Sequence, residues 1–249
     1  MYGQLAHLYD WAGSLDFAEA VWKLDFELLQ KHHIVPPAKI IDLACGTGNL
    51  SLLAAKAGYE VLGIDIAPAM LAEAHKKLTQ QETPLALAFK QDDMRYFLVD
   101  EKVDAVLCHY DSLNHLSNES ELRGTFLQVS QALKPGGLFL FDLNTLENYQ
   151  NFWNGSDTDE GPNYRLRSVS KFDENLAKAE VHFQVDEYTD DGELLSHEES
   201  IAEQYFNETA VEKYLMAADF YDISYQPFNP VEGLDLDFPL KTFWQAKRR

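Results

Sequence analysis

Short apolar runs alternate with amphipathic stretches along the first 144 residues. The apolar runs predict five strands, at 39–43, 59–64, 85–90, 103–108 and 137–143. The amphipathic stretches predict helices at 14–33, at 49–57, from 68 onward and at 119–133. Strands separated by helices form a parallel sheet with right-handed crossovers, and its ligands bind beyond the carboxyl ends of the strands.

The pattern changes after residue 144. Period-two alternation at 164–172, 179–188 and 194–206 predicts an antiparallel insertion of two or three strands. Asp191-Gly192 predicts a hairpin turn between the last two, and residues 154–163 are expected to form a flexible loop. A helix at 207–219 and strands at 221–228 and 240–247 then complete the main sheet.

The predicted fold class is therefore α/β, a doubly wound, mostly parallel seven-stranded sheet with a small antiparallel β insertion after strand five. Its parts are expected to be a core at 1–144, the insertion at 145–206, and a last helix with two core strands at 207–249. A sheet as small as the insertion cannot stand alone, so we expect it to act as a lid or to form a homodimer.

The charge, cysteine content and apolar runs of the sequence indicate which partners are not expected. The 249 residues carry 41 acidic and 20 basic side chains, a formal charge of −21, and residues 141–240 hold 23 of the acids against 5 bases. Such a surface repels phosphate backbones, so we expect no nucleic-acid partner. Two cysteines and the lack of an apolar run of about 20 residues predict a cytoplasmic protein with no membrane partner.

Residues 40–49 run from a predicted strand through a loop of small residues into a predicted helix, a pattern that indicates a ligand-binding loop. Asp65 lies nineteen residues after Gly46 and ends the second predicted strand, where a carboxylate can accept the hydroxyls of a ribose. A dinucleotide fingerprint needs a third glycine, and this chain has Ser51 there. Asp42, just before the loop, would repel a pyrophosphate and favour a cationic ligand.

Four segments in order resemble the motifs of the class I S-adenosylmethionine-dependent methyltransferases. Residues 42–48 resemble their D/E-x-G-x-G-x-G loop, with Ala44 at the first glycine, and residues 61–71 resemble their second motif. Residues 91–95 resemble the third motif, and 133–137 resemble the entry to strand five. The resemblance implies methyl transfer from S-adenosylmethionine.

The resemblance also implies cofactor contacts. Gly46 and Gly48 would pass close to the methionyl part, Asp65 would hold the ribose, and Asp93 would accept from the adenine amino group while Met94 packs on the ring. For Asp93, a turn residue capping 94–97 is the structural alternative. The residues expected to bind the cofactor are Tyr9, Asp42, Ala44, Cys45, Gly46, Gly48, Asp65, Ile66, Asp93, Met94 and Cys108.

Within that class the chain resembles a bacterial branch that shares the motifs D-S-L-N and F-D-x-N-[ST], here at 111–114 and 141–145. The branch is similar in layout to sugar-amine and glycine N-methyltransferases, which also insert an antiparallel sheet after strand five. His115 stands where the branch usually has Tyr or Phe. The expected acceptor is a small molecule with an N- or O-nucleophile, an amine among the candidates.

Methyl transfer from a sulfonium depends mainly on alignment, which accounts for about 7 to 11 kcal/mol in favourable cases. A base helps only when the acceptor carries a proton, and His109, Asp111 and His115 are the candidates. Asn114 and Asn144 are expected to bind the substrate. Structural roles compete with these: a hydrogen-bonded wall residue for each histidine, and a helix cap or turn for Asp111 and Asn114.

No metal site is expected, because the sequence lacks paired Cys or His residues at the spacing of metal ligands.

Two other functions stay open. One is an NAD-dependent oxidoreductase on a similar sheet, which Asp42, Ser51 and the 92–94 segment disfavour. The other is a non-catalytic module that binds S-adenosylmethionine, whose loop would look the same.

Overall fold

The structure is a computed structural model that describes residues 6, 9–10, 14–161, 164–188, 193–230 and 236–249. Its helices are α1 (Leu15–Lys31), α2 (Asn49–Lys56), α3 (Pro68–Thr79), α4 (Glu119–Ala132), α5 (Leu146–Phe152) and α6 (Glu208–Ala217). Its main-sheet strands are β1 (Lys39–Leu43), β2 (Glu60–Asp65), β3 (Leu87–Gln91), β4 (Val103–Cys108), β5 (Leu133–Asn144), β10 (Phe220–Phe228) and β11 (Lys241–Arg248). The insertion strands are β6 (Gly155–Glu160), β7 (Tyr164–Asp173), β8 (Lys178–Tyr188) and β9 (Leu194–Gln204).

The main sheet has seven strands in the order β10-β11-β5-β4-β1-β2-β3. Strands β1 to β5 pair in parallel, whereas β11 is antiparallel to β5 and β10 is antiparallel to β11. The predicted α/β fold class is confirmed. The chain winds from β1 toward β3 and then returns to β4 on the other side of β1, so the switch point lies between β1 and β4. Ligands of such sheets bind at that point.

Helices cover both faces of the sheet, which explains why its strands are apolar without alternation. On one face, Ile41, Phe139 and Phe141 pack against α4 and α6. On the other, Ile40 and Leu140 belong to the layer formed with α1 and α2. None of the described helices is long and apolar enough to cross a membrane.

The insertion is a four-stranded antiparallel sheet in the order β6-β7-β8-β9. The expectation of a flexible loop at 154–163 is wrong for 155–160, because these residues form β6. All six are exposed, so β6 is held by pairing with β7 and carries no apolar alternation that sequence could reveal. The turn expected at Asp191-Gly192 lies outside the described residues, although Tyr188 and Leu194 on either side of it are paired.

Helix α5 joins the insertion to the main sheet. Thr145 caps it by accepting the N–H of Asn148 at 3.1 Å. The ring of Tyr149 is fully buried and stacks on Phe172 of β7 at 5.2 Å between centroids. This contact fixes the insertion beside the carboxyl ends of the parallel strands.

Candidate functional site

The glycine loop follows β1 and has an unusual backbone. Ala44, Gly46 and Gly48 all have positive φ, of 59°, 54° and 78°. At Gly48 a Cβ would lie 2.8 Å from the ring of Phe89, so both the backbone angle and the space require glycine. Ala44 holds the same left-handed region at a steric cost, which explains why glycine is usual at that motif position.

Hydrogen bonds hold the loop against the neighbouring strand. Gly46 N–H donates to Asp65 Oδ2 at 2.8 Å, and Cys45 N–H donates to the carbonyl of Ile64 at 3.0 Å. The other oxygen of Asp65 accepts Ala67 N–H at 2.8 Å. Burial raises the pKa of Asp65. The end of β2 therefore sets the position of the loop after β1.

A first pocket, of about 440 Å³, lies on the α1 side of this loop. Asp42, Gly46, Thr47, His109 and Tyr110 line it, together with apolar residues of α1. Burial raises the pKa of Asp42 to about 6, although the hydroxyl of Ser51 donates to it at 2.5 Å. Ser51 thus replaces the third glycine of a dinucleotide fingerprint with a donor to this acid. The described lining of the pocket contains no Lys or Arg.

The described part of the N-terminal segment is tied to the same loop. Asp10 Oδ1 accepts the side chains of Thr47 at 2.6 Å, Asn49 at 2.9 Å and Ser14 at 3.1 Å, and Lys77 pairs with Oδ2 at 2.5 Å. Ser14 makes no side-chain cap of α1 and donates to Asp10 instead. Next to Asp10, the ring of Tyr9 lies over Gly46.

A second pocket, of about 640 Å³, lies on the other side of Ala44. Its lining contains Asp65, Ile66, Asp93, Met94 and His115. Of the residues expected to bind the cofactor, Asp65, Ile66, Asp93 and Met94 lie together here, beside the candidate base His115. Tyr9, Asp42, Cys45 and Gly46 lie together at the first pocket. The two pockets meet at Ala44.

Arg95 is a charged residue of the second pocket that the sequence analysis did not single out. It donates to both oxygens of Asp93, with Nε 2.9 Å from Oδ1 and Nη2 2.5 Å from Oδ2. It also reaches Glu121 at 3.1 Å. The Arg95 hydrogen bonds lower the pKa of Asp93. Asp93 also makes the turn contacts named as its structural alternative, since its Oδ1 accepts Arg95 N–H and its carbonyl accepts Phe97 N–H.

His109 follows β4 and lies between two buried carboxylates. Its Nε2 is 3.0 Å from Asp25 of α1, and its Nδ1 is 3.2 Å from Asp142 of β5. Burial opposes the charged ring, but the two carboxylates outweigh it and raise the pKa of His109 to about 10. The ring is therefore a cation at neutral pH, with no free nitrogen to take a proton.

Asp142 joins His109 to a second buried cation. Lys241 of β11 is 3.0 Å from Asp142 and 3.1 Å from Asp111. The backbone N–H groups of Tyr110 and Asp111, both at positive φ, also donate to Asp142, at 2.6 and 2.9 Å. Burial alone would raise the pKa of Asp142, but Lys241 and His109 lower it well below its usual range.

The network continues to the insertion through Asn144. Its amide nitrogen donates to Asp111 at 3.2 Å and to Glu203 of β9 at 2.9 Å, and its oxygen accepts Lys241 at 2.9 Å. Asn114 is fully buried and links the N–H of Asn144 to the carbonyl of Gln204. The two asparagines expected to bind substrate therefore hold the insertion to β5.

Three other candidates from the sequence differ in how deeply they are buried. His115 is half-buried at the end of a short 3-10 helix at Ser112–His115, and loss of solvent around its ring lowers its pKa. Cys108 is fully buried in β4, and burial raises the pKa of its thiol well above the usual value. Asp111 keeps 18% of its side chain exposed, in contrast to Asp142 at 0%.

Four charged members of the network were not among the candidate site residues from the sequence: Asp25, Asp142, Glu203 and Lys241. Asp142 was noted only as part of the 141–145 motif. Asp25 lies four residues after Val21 on the apolar stripe of α1, whereas Glu203 shares its side of β9 with His197 and Glu199, so no apolar pattern marks it. For Asp25, an acid inside an apolar pattern was thus a usable signal. Lys241 stands at the beginning of a strand, and no pattern marks it.

Comparisons with known proteins agree with this geometry. Residues 40–137 match a family described as a methyltransferase domain. YqeM of Bacillus subtilis (strain 168), a protein named as a methyltransferase, is 38% identical over 140 residues, which are 55% of this chain and 56% of YqeM. The chain thus spans about half the length of that relative.

Two further matches cover nearly the whole chain. The dTDP-3-amino-3,6-dideoxy-alpha-D-glucopyranose N,N-dimethyltransferase of Streptomyces fradiae is 28% identical over 236 residues, 92% of this chain and 88% of that protein. The crystal structure of an S-adenosylmethionine-dependent methyltransferase from Clostridium acetobutylicum ATCC 824 superposes with a TM-score of 0.80 at 21% identity, covering 98% of each chain. The domain match at residues 40–137 and the shared fold support the resemblance to class I S-adenosylmethionine-dependent methyltransferases that the motifs predicted.

Proposed function

We propose that this chain binds S-adenosylmethionine and transfers its methyl group to the amino nitrogen of a small molecule. The observation that carries the proposal is the pair of pockets that meet at Ala44, with a carboxylate in each. Behind them, the buried ion network leaves Asp111 partly exposed.

The residues present fit this cofactor. The positive-φ loop allows a ligand to approach the backbone closely at Gly46, which lines the first pocket. Asp42, the acid in the described lining of the first pocket, suits an ammonium or a sulfonium, and it would repel a pyrophosphate. In the second pocket, Asp65 would accept the hydroxyls of a ribose, and Met94 would contact an adenine ring; both residues line this pocket. Asp93 can accept from an adenine amino group only while it also binds Arg95.

S-adenosylmethionine, when bound, supplies a methyl group on a positively charged sulfur. The protein's main contribution is then alignment, for which the two pockets and the Tyr9 and Tyr110 rings beside the first provide rigid walls. Asp42 provides negative charge near the cationic centre. We assign no proton transfer to His109, because both of its nitrogens are bound to carboxylates.

An amine is the favoured acceptor for two reasons. The Streptomyces fradiae relative is named for methylation of an amino sugar nitrogen. The second half of this chain is strongly acidic, which attracts cations and repels phosphates.

Calorimetry and turnover together test the proposal. We expect S-adenosylmethionine to bind with micromolar affinity and NAD to show no binding. Incubation with a panel of amines, hydroxyl compounds and nucleoside-linked amino sugars should release S-adenosylhomocysteine with amines only. Binding without turnover on any acceptor would favour a non-catalytic binding module, and turnover on hydroxyl compounds alone would exclude an amine acceptor.

A further inference from the structure

Asp10 is a half-buried carboxylate beside the first pocket, and the role inferred for it rests on the proposed binding of S-adenosylmethionine. Three polar side chains that line this pocket, those of Ser14, Thr47 and Asn49, donate to its Oδ1 at 3.1, 2.6 and 2.9 Å. Asp10 is not itself part of the described lining of either pocket. Any effect of this carboxylate on a ligand therefore passes through neighbouring residues.

The second oxygen of Asp10 is bound to α3. Lys77, in the last turn of that helix, lies 2.5 Å from Oδ2 and also donates to the side-chain oxygen of Asn49 at 2.7 Å. Burial opposes the charge of Asp10, but hydrogen bonds from Lys77, Thr47 and Asn49 outweigh burial and lower the pKa of this carboxyl group. Asp10 is thus an ion that is anchored to the glycine loop, to α2 and to α3 at once.

Tyr9, the residue before Asp10, covers the cofactor loop. A Cβ at Gly46 would lie 3.7 Å from its ring, and the ring meets that of Tyr110 edge to face at 5.6 Å between centroids. Both tyrosines line the first pocket. Consecutive Cα atoms are about 3.8 Å apart, so Tyr9 cannot move far from the loop while Asp10 keeps its anchors.

The walls of the first pocket differ in how they are held. Phe17 and Val21 belong to α1 and are buried in the layer between this helix and the sheet. Tyr9 precedes α1 and is only partly buried, against a small cluster that contains Met70 of α3. Tyr9 is therefore the wall that can yield to a ligand, and the hydrogen bonds of Asp10 oppose that movement.

We propose that Asp10 is a positioning residue that holds Tyr9 against the cofactor loop and thereby slows the dissociation of S-adenosylmethionine and of S-adenosylhomocysteine. The four donors fix the Asp10 side chain, and the peptide link between the two residues fixes the tyrosine. The wall is then in place before the cofactor binds. Pre-organisation of this kind lowers the entropy cost of binding, and its loss shows mainly in the dissociation rate.

The Asp10→Asn variant tests this role. The amide keeps the shape, but it loses the charge that binds Lys77 and turns a donor toward other donors. We expect the dissociation rate of S-adenosylhomocysteine, measured by stopped-flow displacement, to rise at least about tenfold, as for the loss of one charged hydrogen bond. Asp16→Asn, at an exposed acid in the first turn of α1, is the matched control and should release the ligand at the wild-type rate.

Lys77→Gln removes the other member of the ion pair. The dissociation rate should rise in the same direction by a smaller factor, because Asp10 keeps its three other donors. Lys76→Gln is the matched control, since the neighbouring Lys76 is exposed and pairs with Glu73 of the same helix. These two variants keep the proposal testable if Asp10→Asn does not fold, as judged by circular dichroism.

Tyr9→Ala shows whether Asp10 acts through the tyrosine ring. Removing the ring should itself speed dissociation. In the Tyr9→Ala background, Asp10→Asn should add less than about twofold, because the wall that Asp10 holds is already gone, whereas independent effects would multiply. A general structural role of Asp10 would change the rate by the same factor in both backgrounds.

The outcomes separate this inference from the proposed function. Release at the wild-type rate in Asp10→Asn, or an effect of the same size with and without the Tyr9 ring, overturns the positioning role while leaving cofactor binding intact. A wild-type protein that binds neither S-adenosylmethionine nor S-adenosylhomocysteine in calorimetry overturns the proposed function instead.

Discussion

At the scale of single residues, Asp65 connects the cofactor loop to the neighbouring strand. One oxygen holds Gly46 N–H and the other holds Ala67 N–H, each at 2.8 Å, while the carboxylate also lines the second pocket. Asp65→Asn keeps the shape but removes the charge. Charge-assisted hydrogen bonds contribute about 1.5 to 3 kcal/mol each, so we expect S-adenosylmethionine to bind at least about tenfold more weakly by calorimetry.

Glu60→Gln is the control for this substitution, because Glu60 is exposed at the opposite end of the same strand. It should bind the cofactor as the wild type does. Equal affinity of Asp65→Asn and wild type would mean that the ribose is held elsewhere.

His109 stabilises the fold through its charge. Its pKa of about 10 in the folded protein lies above the 6.5 of an ordinary histidine. Between these values the folded state binds the extra proton, so its stabilisation is complete below about pH 6.5 and is lost as pH rises through about 10. His109→Gln leaves Asp25 without its cation, while Asp142 keeps Lys241 alone. We expect the free energy of unfolding to fall by about 3 to 5 kcal/mol at neutral pH, measured in urea.

The difference between wild type and His109→Gln should shrink as the measurement is repeated toward pH 10. His182→Gln, at an exposed position of β8, should change stability little at any pH. A deficit in His109→Gln that is independent of pH would show that the ring contributes packing alone.

At the scale of elements, the insertion is joined to the end of β5 through Asn114, Asn144 and Glu203. Asn154 accepts Phe172 N–H, Phe172 pairs with Ala179, and Ala179 pairs with Glu203. Three strand spacings of about 4.8 Å separate residue 154 from residue 203, so a Gly/Ser linker of about six residues can replace residues 155–202. Glu203 and the buried Phe206 are kept.

We expect the shortened protein to bind S-adenosylmethionine, because both cofactor pockets are built from the main domain. Methyl transfer to amines should be lost, since the sheet beside the carboxyl ends of the parallel strands is removed. Circular dichroism and calorimetry check the fold and the cofactor site first. Transfer at the wild-type rate would mean that the insertion takes no part in selecting or holding the acceptor.

At the scale of the whole molecule, charge decides which ligands approach. Residues 141–240 hold 23 acids and 5 bases, and four bases follow in the last nine residues. This distribution should oppose phosphate backbones near the site. We expect no salt-dependent retention on heparin and no RNA binding at neutral pH and low salt. Retention that is reversed by added salt would show that the basic end of the chain recruits polyanions.

Much of the fold and of the cofactor loop could be predicted from the sequence because both depend on local patterns. Apolar runs of strand length, glycines at 46 and 48 and an acid at the end of β2 are all read along the chain. The parallel order then follows from strands that alternate with helices. The edge strand β6 escaped prediction because its pairing uses main-chain groups that every residue type has.

The ion network was decided by tertiary structure alone. His109 meets Asp25 from 84 residues earlier and Asp142 from 33 residues later, and Lys241 reaches Asn144 across 97 residues. No period of a helix or a strand relates such positions. A buried charge is tolerated only where folding places an opposite charge or a hydrogen-bond donor beside it. The sequence by itself therefore determined where a cofactor loop would lie, and the packing of α1, β4, β5, β9 and β11 decided which acids and bases surround it.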